Sequence, residues 1–131
     1  MIEPLLTLLP NISVGKVLIQ RNERTAEPIF YYSKLPTDIH KAKRVFLLDP
    51  MLGTGGSASM AINEIHKRGV PKENITFINL VSCDRGIQRL LKEHPGVHII
   101  TACVDPILNE KFYIEPGIGD YGDRFFASTR D

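Results

Sequence analysis

Val45-Phe46-Leu47-Leu48-Asp49-Pro50-Met51-Leu52-Gly53-Thr54-Gly55-Gly56-Ser57 is the stretch whose reading decides the fold. Residues 45–48 are an unbroken apolar run, the pattern of a parallel strand covered on both faces. Asp49 ends the run and puts a carboxylate at the carboxyl edge of a sheet, where open α/β folds bind ligands. Gly53, Gly55 and Gly56 permit a tight turn, and their missing Cβ atoms let a ligand approach the main chain. Ser57 is placed to cap a helix over residues 57–68, with Ala58, Ala61, Ile62 and Ile65 on one face. Free amides in a first helical turn, with the helix dipole behind them, favour an anion. The ligand expected at this loop is a phosphate.

Two familiar glycine loops fit less well than a third possibility. A P-loop needs a lysine before the helix-opening serine, and position 56 is Gly. A dinucleotide fingerprint is formally present as Gly53-Thr54-Gly55-Gly56-Ser57-Ala58. However, Asp49 to Leu52 separate it from the strand, and the next apolar run, residues 75–82, contains no acid for a ribose. A dinucleotide-binding oxidoreductase is therefore the weaker alternative. An acid closing a strand before a Thr-Gly-Gly-Ser loop suits a phosphorylated sugar, with the carboxylate on the ribose hydroxyls and the amides on the 5′-phosphate.

The rest of the chain supports a single domain over residues 1–131. At 131 residues and 43% hydrophobic it can bury a core, and a formal charge of +1 gives no net attraction for nucleic acid. No apolar run reaches the ~18 residues of a membrane span, and Met1-Ile2-Glu3-Pro4 lacks a basic signal-peptide region. Cys83 and Cys103 have no metal-ligand spacing and read as small core-edge residues of a reducing compartment, the cytoplasm. Pro95-Gly96 separates His94 from His98, so no metal site is expected.

Ile2, Leu5, Leu6 and Leu9 mark a short helix stopped by Pro10. Residues 13–21 read as a strand with Arg21 at its carboxyl end, residues 22–28 as a polar turn, and residues 29–35 as a second strand. Phe30, Tyr31 and Tyr32 are expected to pack rather than to stack on a base. Lys67, Arg68 and Gly69 suit the end of the loop helix, and residues 71–74 a turn. After the strand at 75–82, Asp84 is placed to cap a helix with Ile87, Leu90 and Leu91 as its apolar face, and residues 98–104 follow as a strand. This β-α-β-α-β order predicts an α/β fold with a parallel sheet. In residues 112–125, Pro116, Gly117, Gly119 and Gly122 forbid a long helix or a central strand, leaving a shaped loop that exposes amides and carbonyls.

Four motifs in order resemble the uracil phosphoribosyltransferase family, of the type I phosphoribosyltransferase fold. They are Val17-Leu18-Ile19-Gln20-Arg21-Asn22-Glu23, Tyr32-Ser33-Lys34-Leu35-Pro36, the loop from Asp49 to Ser57, and the segment from Tyr113 to Phe125 with its Pro-Gly-Ile-Gly-Asp-Tyr-Gly-Asp-Arg core. Gly53 departs from the pattern, since the family usually has alanine there. The resemblance implies conversion of uracil and phosphoribosyl pyrophosphate to uridine monophosphate (UMP) and pyrophosphate, with Mg²⁺ bound to the substrate. It implies phosphoribosyl pyrophosphate contacts from Arg21, Asp49, Pro50, Met51, Leu52, Gly53, Thr54, Gly55, Gly56, Ser57 and Asp120. Uracil would be read at Ile114, Gly119, Asp120 and Tyr121, largely through main-chain groups. No general base is implied. The paired strands around residue 25 correspond to a β-arm that helps dimerisation, so a homodimer or higher homo-oligomer is expected, with GTP a possible effector. In the family the short first helix follows a core strand ending in an Arg-Ala-Gly turn, which puts an arginine on the pyrophosphate. Met1 begins just after it, so the resemblance implies an N-terminally truncated domain. The alternatives are a catalytically silent regulatory chain that binds nucleotide or phosphoribosyl groups, and the C-terminal fragment of a uridine kinase-like fusion.

Overall fold

A computed structural model describes residues 1–22, 25 and 27–128. Helix α1 (Ile2–Leu8) keeps Leu5 and Leu6 half-buried and gives way to Pro10 after its C-cap, Leu9. An antiparallel hairpin follows, β1 (Lys16–Arg21) against β2 (Pro28–Lys34), as a sheet of its own. Residues 13–15 stay outside β1, because Lys16 already faces Lys34, the last residue of β2. Leu18 faces Tyr32 and Ile19 faces Phe30, so Tyr31 is the extra residue of a bulge. Glu23, Arg24 and Ala26 of the expected turn lie outside the described residues.

The central sheet is parallel, as the alternation of elements predicts. It contains β3 (Val45–Leu48), β4 (Met51–Leu52), β5 (Ile75–Cys83) and β6 (His98–Asp105). Asp49 directly follows the first of these, as expected, but the strand line resumes two residues later. Leu48 faces Ile78 and Met51 faces Val81, so β3 and β4 are one interrupted strand along the same side of β5. Pro50 causes the interruption: it has no N–H to give, while its carbonyl accepts from the amides of Leu80 at 3.0 Å and Val81 at 3.1 Å. β6 lines the other side of β5.

Helices α2 (Gly56–Lys67) and α3 (Asp84–Glu93) connect these strands. They enclose a core of Leu52, Ile62, Ile65, Phe77, Leu90 and Val97. Leu91, expected on the buried face, is exposed. Gly86, Leu90 and His94 turn inward instead, and at Gly86 a Cβ would overlap the Gly53 carbonyl, so close approach there sets the rotation of α3. Asp84 does not cap α3 with its side chain; the N-cap is Cys83, and Asp84 accepts from Gln88 one turn on. The aromatic residues of β2 are not packed: Phe30, Tyr31 and Tyr32 are 41%, 55% and 49% exposed, because the hairpin projects as a separate sheet beside α2. Cys83 is buried, but Cys103 is exposed.

The C-terminal segment holds more structure than a loop. β7 (Ile107–Leu108) pairs with β8 (Ile114–Glu115), and a short helix α4 (Tyr121–Phe126) follows. Asp120 starts this helix by accepting from the Asp123 amide at 2.8 Å. The glycines still decide the path between β8 and α4, since Gly117 and Gly119 have φ of +52° and +72°.

Candidate functional site

Helix α2 begins at Gly56, and Gly55 is its N-cap with φ +79°. Ser57 therefore lies inside the first turn and does not cap it; no side chain does. A left-handed entry of this kind suits glycine and leaves the turn to main-chain groups. Thr54 Oγ1 accepts from the Gly56 amide at 3.4 Å, which ties the loop to itself.

An open cavity of about 1700 Å³ adjoins this loop. Its wall takes Arg21 from the end of β1, and Asp49, Pro50 and Met51 from the β3–β4 junction. Gly53 and Ser57 join from the loop and helix, and Ile114, Gly119, Asp120 and Tyr121 from the C-terminal segment. Motifs a hundred residues apart in sequence thus meet at one concavity. Leu52, Thr54, Gly55 and Gly56 are not part of the wall. Leu52 is 1% exposed within the core, while Gly55 and Gly56 back onto Gly86, Arg89 and Pro28. The cavity exceeds the room a mononucleotide needs because it runs on to Ile2 and Leu5 of α1 and to Val17 of the hairpin.

Arg21 reaches the loop. Its Nη2 lies 3.7 Å from where a Cβ on Gly53 would stand, and the same Cβ would lie 3.4 Å from Leu108 and 3.5 Å from the Phe112 carbonyl. These are ordinary contacts, so alanine fits at position 53 and glycine there costs the loop nothing sterically. Phe112 itself is held at φ +63°, a strained conformation for an aromatic residue beside the cavity.

Asp49 is the one acid at the strand break. Burial pushes its carboxyl above the ordinary value of 3.8, while the Met51 amide, 3.2 Å from Oδ1, and the charge of Arg21 pull the other way. A carboxylate left short of donors by its surroundings is well suited to accept from ligand hydroxyls.

Several residues that shape the site gave no sequence signal. Arg89 Nη1 donates to the Thr54 carbonyl at 3.3 Å and Cys83 Sγ to the Gly53 carbonyl at 3.1 Å. Arg89 also pairs with Glu93 at i+4, as an ordinary helix-surface arginine does. Asp105, at the end of β6, accepts from the Gly117 amide at 2.9 Å and fixes the C-terminal segment. Asn109 Oδ1 accepts from the amides of Lys111 and Tyr113, each at 3.0 Å, an Asx arrangement that its residue type could have suggested.

One further cluster has the look of a catalytic triad without its function. Ser59 Oγ lies 2.7 Å from His94 Nε2 and 2.6 Å from Glu93 Oε2. The hydroxyl proton goes to the carboxylate, so His94 must donate its Nε2–H to Ser59, and its buried Nδ1 has no partner among the described residues. The acid sits on the serine rather than behind the histidine, and Ser59 is buried, so the group ties α2 to α3 and activates no nucleophile. Burial, then the charge of Lys72, pushes the His94 pKa down.

Comparison with known proteins gives one consistent result. The family model described as uracil phosphoribosyltransferase matches residues 1–128. A uracil phosphoribosyltransferase of Streptococcus pyogenes serotype M5 (strain Manfredo) is 47% identical over 128 residues, covering 98% of this chain and 60% of the relative. That of Streptococcus mutans serotype c (strain ATCC 700610 / UA159) is 48% identical over the same share of each chain. The solved structure of the AQ2163 protein from Aquifex aeolicus superposes with a TM-score of 0.88 at 37% identity, over 100% of this chain and 61% of that one. The chain thus spans about 60% of the length of the curated relatives it matches.

Proposed function

Since the chain belongs to the uracil phosphoribosyltransferase family, we propose that its cavity binds phosphoribosyl pyrophosphate and uracil and forms UMP and pyrophosphate. The observation that supports this reading most is the convergence of Arg21, Asp49, Gly53 and Ser57 at the two ends of the glycine loop, Ile114 and residues 119–121 on one concavity. The loop amides and the N-terminal end of α2 hold the 5′-phosphate. Asp49 accepts from the ribose hydroxyls, which supply the donors its position lacks. Arg21 and Asp120 face the pyrophosphate side, where Mg²⁺ bound with the substrate would supply countercharge to the leaving group.

Uracil presents O2, N3–H and O4 along one edge, and in this reading main-chain groups around Ile114, Gly119 and Tyr121, on the cavity wall, supply the complementary donors and acceptor. As the C1–O bond to pyrophosphate breaks and the bond from uracil N1 to C1 forms, C1 takes on oxocarbenium character. The N1 proton leaves to the departing pyrophosphate or to water. The chain's part is positioning and charge stabilisation rather than covalent chemistry. The exposed aromatic residues of the β1–β2 hairpin suit an arm that joins subunits of a homo-oligomer. Action in the cytoplasm and control by GTP belong to the same reading and rest on the family resemblance.

The test is calorimetric titration with ribose 5-phosphate, for the parent and for Gly55→Val. A side chain at position 55 would meet the Gly86 carbonyl at 3.2 Å and oppose a φ of +79°, which should close the loop to the phosphate. Binding is expected in the parent and lost in the variant. Equal affinity in the two would refute the phosphate assignment, and a UMP formation assay on the same samples tests turnover.

A further inference from the structure

Helix α3 lies on the side of the glycine loop away from the cavity, and it touches the loop at its carbonyl oxygens. Cys83 donates to the Gly53 carbonyl at 3.1 Å and Arg89 to the Thr54 carbonyl at 3.3 Å. Neither residue lines the cavity; of the loop, Gly53 and Ser57 do, with Thr54 and Gly55 between them at its margin. At Gly86 a Cβ would overlap the Gly53 carbonyl and stand 2.9 Å from that of Leu52, so nothing larger than glycine allows α3 to sit this close.

In a trans peptide the N–H points opposite to the C=O of the same unit. Holding the Gly53 and Thr54 carbonyls toward α3 therefore turns the amides of Thr54 and Gly55 the other way. We propose that Arg89, with Cys83, is a positioning residue for phosphate binding: it fixes two peptide planes so that the Thr54 and Gly55 amides face the ligand. The proposal rests on the reading of this loop as a 5′-phosphate site.

Arg89 is itself held in place. Its Nε donates to Glu93 Oε1 at 2.8 Å, and the other oxygen of Glu93 accepts from Ser59 of α2 at 2.6 Å. The loop, α2 and α3 are thereby joined through one side-chain chain, in which the guanidinium reaches the loop. Arg89 is half exposed, so its replacement leaves the core intact.

The experiment measures the affinities of the full chain for UMP and for uridine by calorimetry, in the parent and in Arg89→Ala, Arg89→Lys, Cys83→Ala and Cys83→Ser. Mispositioned amides cost only the phosphorylated ligand. Arg89→Ala is expected to weaken UMP about tenfold, the usual scale for one such hydrogen bond, with uridine unchanged. Arg89→Lys and Cys83→Ser, which keep a donor, should recover part of the loss that the alanine variants show. If the parent prefers UMP and Arg89→Ala keeps the full preference, the proposal falls while the phosphate site stands. Equal losses for UMP and uridine would also overturn it, by showing a general structural role. A parent that binds UMP no better than uridine refutes the phosphate reading, and this proposal with it.

Discussion

Asp49 carries a cost in the free protein that a ligand would remove. Its carboxyl is pushed up by burial despite the Met51 amide and Arg21, so the ionised form is less stable in the folded chain than in the unfolded one. For a raised carboxyl this cost sets in as pH rises above the unfolded value of 3.8 and grows up to the folded one. Asp49→Asn keeps an oxygen for the Met51 amide and removes the charge. The variant is expected to melt several degrees higher than the parent at neutral pH and to bind ribose 5-phosphate more weakly. Scanning calorimetry with a parallel titration checks both, and a lower melting temperature would contradict the account of Asp49. The place of this residue beside the loop was legible in the sequence, because the acid directly follows an apolar run and precedes the glycines. Arg89 was not, because a solvated arginine in an i,i+4 pair looks the same whether or not its guanidinium touches a distant carbonyl.

Helix α3 shows what an element adds beyond its own sequence pattern. Its rotation is set by Gly86 against the loop carbonyls, which puts Leu90 and His94 inside and Leu91 outside. Gly86→Ala should destabilise the chain by ~1–3 kcal/mol, the range for overpacking, because the overlapping atom is backbone and cannot swing away. Urea unfolding measures this; a change within error would mean that α3 slides without cost. The junction of α3 with α2 also predicts a pH dependence. His94 has its pKa lowered from 6.5 by burial, so below that value the unfolded chain takes up a proton that the folded chain resists. Stability is present in full above the unfolded pKa and falls as pH drops. Glu93, held below its usual range by Ser59 and Arg89, stays ionised through this window. Urea midpoints at about pH 7.5 and about pH 5.5 should therefore separate in the parent and converge in His94→Gln. Equal separations would place the effect elsewhere.

At the scale of the whole molecule, among the described residues, one face of the parallel sheet carries α2 and α3 and the other carries no helix. Phe46, Leu80, Ile100 and Val104 share the second face by strand register and are 37%, 40%, 55% and 51% exposed. Among the described residues β3 pairs only with β5, so its outer edge presents unpaired main-chain groups. Parallel sheets are ordinarily covered on both faces, and exposed apolar faces and edges associate. The 131-residue chain by itself is expected to self-associate with rising concentration, and Ile100→Lys with Val104→Lys should reduce this. Sedimentation velocity over a concentration series decides it; a single monomer species throughout would show that these surfaces are inert.

The sequence by itself determined the parallel α/β order, the place of the glycine loop and the hairpin ahead of it. Each of these is a local matter, written in apolar periodicity, in glycine's freedom at φ +79° and in the run of strand-forming residues. It did not determine that Asp49 and Pro50 only interrupt a strand, since that depends on the Leu80 and Val81 amides arriving from β5. Nor did it determine that residues 107–108 pair with 114–115, or that α3 backs the loop through Cys83, Gly86 and Arg89. Those features were decided by tertiary structure. They depend on which groups meet across space, and a hydrogen-bond partner thirty or more residues away leaves no trace in the local pattern.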